Sequence, residues 1–213
     1  MKFPWVILFI IILISIPHMS AKDTSDWSEV TVNKVTFKIP QKYVEENMNE
    51  SYATYYFHGT PNNFGIKSCF QYNILKDSYG LYSTSNNVVD IEETNIKGHD
   101  AVIFYYYNDF RNIDELHIYF TTGKKIFYIY YQSDKVTPEL EKIIKSTPKS
   151  KISEEAFLNK LDNAQRDYIQ EDYEKNLELD LEDYYRDYNN QHNRQVYSYW
   201  GSNGYGIGSI YSL

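Results

Sequence analysis

Histidine, cysteine and the carboxylates are where chemistry would reside in this 213-residue chain. The histidines are His18, His58, His99, His117 and His192, and no two sit at the spacing by which a helix turn or a hairpin presents paired ligands to zinc. Neither Cys-x-x-Cys nor His-Glu-x-x-His occurs, and there is no Asp-x-Asp-x-Asp-Gly loop to wrap calcium. Cys69 is the single cysteine, so no intramolecular disulfide can form. Its neighbours Ile66, Ser68, Phe70 and Tyr72 read as strand, which makes Cys69 a small buried hydrophobe. The acid doublets Glu92-Glu93 and Asp114-Glu115 lie in or beside strand-like segments. Strand neighbours point to opposite faces, so neither doublet is a paired-carboxylate site by itself. Gly206-Ile207-Gly208-Ser209 and Gly204-Tyr205-Gly206-Ile207-Gly208 lack the strand and helix that a nucleophile elbow or a phosphate cradle needs. No catalytic, cofactor-binding or metal-ligating residue is assigned, and the expectation is a protein without a cofactor that is not an enzyme. A hydrolase would require Cys69, His99 or His117 to converge in one pocket.

Tyrosine is the residue in excess, with 23 copies against 11 of Phe. Tyr55-Tyr56, Tyr105-Tyr106-Tyr107 and Tyr130-Tyr131 fall in strand-like runs, so each run must put rings on both faces of a sheet. Tyr55, Tyr56, Tyr105, Tyr107, Tyr130 and Tyr131 are therefore the candidate ligand or partner surface, able to stack on sugars or to pack against a protein with the hydroxyl left wet. The competing explanation is plain strand propensity, which tyrosine has in full.

The elements that must position these residues follow from hydrophobic period. Val30 and Val32, then Val35, Phe37 and Ile39, alternate on either side of Asn33-Lys34, the pattern of a tight hairpin stopped by Pro40. Tyr52 to Phe57 and Phe64 to Leu75 are strand candidates, separated by Gly59-Thr60-Pro61-Asn62-Asn63. The polar stretch from Asp77 to Asn87 reads as a loop, Val88 to Ile96 as a weaker strand, and Lys97-Gly98-His99-Asp100 as a turn. Ala101 to Tyr107 is a strand apolar on both faces. Glu115 to Thr122 and Lys124 to Gln132 flank a turn at Gly123. Thr137-Pro138-Glu139 opens a short helix, with a cap, a first-turn proline and an acid at the positive dipole end. Leu140, Ile143 and Ile144 give that helix an apolar side before Pro148 ends it. The fold class is α+β: an antiparallel β-sheet covered by a helix, then a long acidic helix and a flexible tail.

The chain carries 21 Lys+Arg against 29 Asp+Glu, a net charge of −8, which argues against a nucleic-acid partner. Between Glu154 and Asp187 there are twelve acids and four bases, so this segment holds the whole excess and 17 of each sign remain elsewhere. Phe157, Leu161, Ala164 and Tyr168, then Ile169, Tyr173, Leu177, Leu181, Tyr184 and Tyr188, recur in steps of three and four with one slip. This predicts one long amphipathic helix over 152–190, or two meeting near Tyr168, with a narrow apolar stripe suited to partner contact. Residues 191–213 have no period and read as a Tyr/Gly/Ser-rich flexible tail. At the other end, residues 1–21 place Lys2 before an unbroken apolar run from Val6 to Ile14 and small residues at Ser20-Ala21. That is the layout of a secretory signal peptide, the alternative being an uncleaved anchor; either predicts a secreted or cell-surface protein, with membrane contact only through this segment if it is uncleaved. Asn49-Glu50-Ser51 is a glycosylation sequon that predicts an exposed loop.

The block Val32-Asn33-Lys34-Val35-Thr36-Phe37-Lys38-Ile39-Pro40-Gln41-Lys42-Tyr43 resembles the opening of PsbP-like domains, antiparallel sheets sandwiched by helices. Asn95-Ile96-Lys97-Gly98-His99-Asp100-Ala101 is similar to their middle turn. The final hairpin (Tyr119-Phe120, then Gly123 to Tyr128) followed by a helix at Pro138 to Lys145 is similar in order and spacing. The resemblance spans about residues 28–147 and excludes the acidic helix and the tail. It implies a domain over 28–149 acting as a non-catalytic accessory, assembly or binding module at an extracytoplasmic surface. The expected partner is an envelope protein met by the acidic helix, or a polysaccharide met by the tyrosine-rich sheet.

Overall fold

The computed structural model describes the backbone of residues 27–57 and 60–202, with side chains outside 56–62 and 192–202. The N-terminal segment 1–21 lies outside the described residues. The fold is α+β, as its sequence pattern requires. Among the described residues, 27–70 together with 86–154 form one compact unit, and 71–85 with 155–202 form a second.

The first unit holds all nine strands found among the described residues. Strands β1 (Ser28–Val32) and β2 (Val35–Ile39) pair as a hairpin, and its turn places Asn33 at φ 44° and Lys34 at φ 63°. Two positive φ values make the turn whose twist matches that of the flanking strands. The Asn33 amide donates to Ser68 Oγ at 2.6 Å, and the Lys125 ammonium donates to the Asn33 carbonyl, tying hairpin to sheet. That sheet has seven antiparallel strands in the order β3 (Val44–Met48), β4 (Tyr52–Phe57), β5 (Thr60–Ser68), β9 (Lys125–Tyr131), β8 (Ile113–Thr122), β7 (His99–Asn108), β6 (Val88–Ile96). Strand β8 is paired on one side with β7 and on the other with β9, and all its residues from Glu115 to Thr122 are buried.

One face of the sheet carries the core. Ala53, Tyr55, Phe64, Ile66, Ala101, Ile103, Leu116, Ile118, Phe120, Phe127, Ile129 and Tyr131 belong to a cluster that includes the hairpin residues Val32, Val35, Phe37 and Ile39. Phe37 sits edge-on to Phe127 at 5.2 Å and to Phe120 at 6.5 Å. Helix α2 (Pro138–Lys145) adds Leu140, Ile143 and Ile144, each fully buried. Burial of such side chains is worth about 1.5–3 kcal/mol apiece. Its cap forms as its sequence dictates: Thr137 Oγ1 accepts from the Leu140 amide at 3.2 Å.

Three segments depart from expectation. The strand candidate Phe64 to Leu75 begins earlier, at Thr60, and ends at Ser68, and of the stretch from Asp77 to Asn87 only 84–87 is loop, because helix α1 (Tyr72–Ser83) takes the rest. Leu75, Tyr79 and Gly80 are its buried residues, a helical period that the surrounding Ser, Asn and Asp obscure. Ser78 and Thr84 turn their hydroxyls back onto the Ile74 and Gly80 carbonyls at 2.7 and 2.8 Å, so the polar side chains are consumed locally. Strand β3 has no alternation to announce it; it is exposed throughout and pairs with β4 through an irregular register at Glu45/Asn47. Finally, the acidic segment is one helix, α3 (Glu154–Ser202), and it runs on through the part expected to be a tail; residues 203–213 lie outside the described residues. Once nucleated, a helix extends at little cost until a breaker intervenes, and Gly201 is the first glycine it meets.

In the second unit α1 meets α3. The Tyr72 hydroxyl donates to Asp167 Oδ2 at 2.7 Å, Lys76 pairs with Glu171, and Gln165 donates to the Ser83 carbonyl at 3.5 Å. Gly80 lies directly against the Tyr168 ring. Phe157, Leu161 and Ala164 are buried, whereas α3 is exposed at every residue from Ile169 to Gln191.

Candidate functional site

Alternation along β8 and β9 decides which groups meet. Glu115, His117 and Tyr119 share the sheet face opposite the core, as do Tyr128 and Tyr130 across the hairpin, and Tyr106 and Phe104 on β7. Glu115 is 4% exposed and His117 is 2% exposed. A carboxylate in that position requires partners, and it has them. Asn108 Nδ2 donates to Glu115 Oε1 at 3.0 Å, the Tyr130 hydroxyl donates to the same oxygen at 3.3 Å, and Arg111 Nη1 lies 3.5 Å away. Arg111 Nη1 also donates to the Tyr130 hydroxyl at 2.9 Å. On the other side, His117 Nε2 faces Glu115 Oε2 at 3.4 Å, and His117 Nδ1 shares a 2.7 Å hydrogen bond with the Tyr128 hydroxyl. A neutral ring that accepts from Tyr128 at Nδ1 carries its N–H at Nε2, on the side of Glu115. Burial holds His117 below its ordinary pKa, against the pull of Glu115. Burial, then the Glu115 charge, pushes the Tyr130 hydroxyl up to about 12, with Arg111 opposing.

These buried groups fix two tyrosines whose rings line a groove. Row by row across β4, β5 and β9, Thr54, Gly65 and Tyr130 are register partners, and so are Tyr52, Lys67 and Tyr128. The six line a cavity of ≈ 270 Å³ together with Phe64 and Ile66. Gly65 forms its floor. A Cβ there would meet only Thr54 Cγ2 at 3.5 Å and the Ala53 carbonyl at 3.7 Å, ordinary contacts, so neither packing nor backbone geometry requires glycine. Glycine inside a strand costs about 0.5–1 kcal/mol relative to alanine. What its absence of a side chain provides is open space beside the aromatic rings. A second depression, of ≈ 220 Å³, lies at the β6–β7–β8 end and is lined by Asp90, Tyr106, Asp114, Glu115 and Asp134 among others.

The six tyrosines singled out by sequence separate. Tyr55 is 3% exposed and stacks on Phe64 in the core, its hydroxyl buried without a hydrogen-bond partner among the described residues and its pKa raised by burial. Tyr131 is also a core residue, its hydroxyl 3.2 Å from Glu139 Oε1 and 3.3 Å from the Tyr43 hydroxyl. Both point at the face covered by α2 and the hairpin, so neither offers a ring to a ligand. Tyr105 and Tyr107 are half-buried and engaged at their tips by Glu92 at 2.7 Å and Asn112 at 2.5 Å. Burial, then the Glu92 bond, lifts the Tyr105 hydroxyl to about 12. The Tyr56 side chain lies outside the described residues. Of the five that are described, Tyr130 alone joins the polar cluster, in company with Tyr106 and Tyr128, and it lines the groove with Tyr52.

His99 and His117 do not converge. His99 is on the core face, where Nδ1 donates to the Thr121 carbonyl at 2.7 Å and its ring meets Phe120 edge-on, while His117 is on the opposite face. Cys69 is buried, its amide bonded to the Ile126 carbonyl at 3.0 Å. The sequence signal for the cluster was the pair Glu115–His117, two apart in a strand and hence on one face, mirrored by Tyr128–Tyr130 across Gly123. Reading Glu115 as half of a doublet with Asp114 concealed it. No family model matches the chain, and no curated protein matches it either.

Proposed function

We propose that the protein is a non-enzymatic binding module acting outside the cytoplasm, with α3 as its partner-contact arm. The carrying observation is the stripe Ile169, Tyr173, Leu177, Leu181, Tyr184 and Tyr188, each between 48% and 64% exposed on a helix uncovered from residue 169 to 191. Exposed contiguous apolar surface marks an interaction site. Nine acids and two bases lie between Asp167 and Asp187, so pairing with a second copy would set like charge against like charge. A basic, apolar surface suits the stripe and its flanks together. The export layout of residues 1–21 supports the location, and the order of strands, hairpin and α2 supports a PsbP-like accessory role for the sheet unit.

The test compares the full chain with Leu177→Glu/Leu181→Glu for binding to a synthetic basic amphipathic helix and for the set of envelope proteins it retains. The double variant should bind the peptide at least about tenfold more weakly, a loss of about 1.4 kcal/mol, and lose the retained set. Unchanged affinity and an unchanged set would sink the arm.

A further inference from the structure

We infer that the groove over Gly65 binds an acidic pyranose, one residue of a uronate-type polysaccharide. A pyranose ring has an apolar C–H face and polar edges, and it pairs with an aromatic ring that carries its hydroxyl to the rim. Tyr52 and Tyr128 stand on either side of Lys67 as its register partners on β4 and β9. Two inter-strand steps separate them, about 9.5 Å. Beside Lys67 the strand has no side chain at all, because the next residue on that face is Gly65. Glycine in a strand interior marks close approach of another group, and here no part of the chain's own backbone or packing demands it.

The walls are held in advance. Tyr128 is fixed through its hydroxyl by buried His117, and Tyr130 by buried Glu115 and by Arg111. An aromatic wall that is already ordered loses little freedom when a ligand arrives. The cavity, ≈ 270 Å³, is below the roughly 300 Å³ at which sites for drug-sized ligands begin, which is the scale of one sugar ring. Charge selects among sugars: Lys67, exposed, is the one charged residue among the described residues that line the groove. An ammonium at the rim of an apolar slot favours a carboxylate on the sugar over a neutral hydroxymethyl group. The site lies within the sheet unit and stands or falls independently of the α3 arm.

Calorimetric titration of the full chain with tetragalacturonate and with maltotetraose tests it, using Gly65→Val, Tyr52→Ala and Lys67→Met. Tetragalacturonate should bind the parent chain more tightly than maltotetraose does. Gly65→Val fills the groove in a strand-favouring residue and should keep the parent melting temperature while weakening tetragalacturonate about tenfold or more. Tyr52→Ala should weaken it similarly, and Lys67→Met should abolish the preference for the acidic sugar. The exposed Lys67 and half-exposed Tyr52 keep the test decisive if Gly65→Val does not fold. Absence of tetragalacturonate binding, full binding by folded Gly65→Val, or a preference that survives Lys67→Met would each overturn the proposal. Leu177→Glu/Leu181→Glu should leave sugar affinity unchanged, which separates a failure here from a failure of the arm.

Discussion

The Glu115 carboxylate meets Asn108, Arg111, Tyr130 and His117 on one face of a central strand, and the state of His117 is set by that company. Burial disfavours the imidazolium, and the Glu115 charge only partly offsets it, so the folded pKa lies below the ordinary value of about 6.5. Below pH 6.5 the unfolded chain takes up this proton first. Stability from the neutral ring is therefore complete above that pH and declines as pH falls toward the folded pKa. In His117→Gln this decline disappears while the hydrogen-bonding capacity toward Tyr128 remains. Urea unfolding at pH 7.5, 6.5 and 5.5 should show the parent losing more stability than the variant over the last interval. A single proton limits the difference to about 1.4 kcal/mol per pH unit. Equal losses would mean that His117 does not titrate with folding.

At the scale of elements, the contact between α1 and α3 depends on one missing methyl group. Gly80 is buried in mid-helix, and a Cβ built there would overlap the Tyr168 ring. Alanine should stabilise an isolated helix by about 1 kcal/mol over glycine. Overpacking a tight contact costs about 1–3 kcal/mol. Gly80→Ala is therefore expected to lower stability by up to about 2 kcal/mol, and to raise it when Tyr168→Ala is present, as read by thermal unfolding of both backgrounds. A stabilising Gly80→Ala in the parent chain would show that the two helices do not pack this closely. The same helix shows where element reading failed: Leu75 and Tyr79 carry a helical step, but Phe70 and Tyr72 extend the apolar look of β5 into it. Strand character is legible in β7, β8 and β9, where aliphatic and aromatic residues follow one another over long runs and are buried on both faces in β7 and β8. Strand β3 is set instead by pairing with β4, a tertiary fact its own residues do not encode.

Over the whole molecule, charge and tyrosine are distributed in opposite ways. The acidic excess belongs to α3, whereas four hydroxyls with raised pKa values lie in the sheet unit, Tyr43 and Tyr55 well above the ordinary value and Tyr105 and Tyr130 at about 12, beside Tyr72 of α1 at about 12. Burial is the leading cause in all four, with Tyr131 and Glu139 contributing at Tyr43. In the unfolded chain these phenols ionise near pH 10. Their stability contribution is thus present below pH 10 and lost as pH rises from 10 toward the folded values. Absorbance at 295 nm should show exposed tyrosines ionising near pH 10 and a later class appearing only together with loss of near-ultraviolet circular dichroism. Ionisation of all 23 in one step, with the fold intact, would contradict the buried arrangement.

Sequence by itself determined the α+β class, the hairpin at Asn33-Lys34, the paired strands around Gly123, the capped helix at Pro138 and the confinement of the charge excess to one segment. Each rests on local physics: an alternation of two, a step of three or four, a turn that needs positive φ, a hydroxyl at a helix start. Tertiary structure decided which face each strand shows and what lies opposite it. Tyr55 and Tyr131 went to the core and Tyr130 to the groove because register, a property of pairs of strands, converts neighbouring residues into residents of opposite surfaces. The meeting of Gly65 with Tyr130, and of Lys67 with Tyr52 and Tyr128, joins three strands drawn from distant parts of the chain. No local period encodes such a row; only the order of strands in the sheet does.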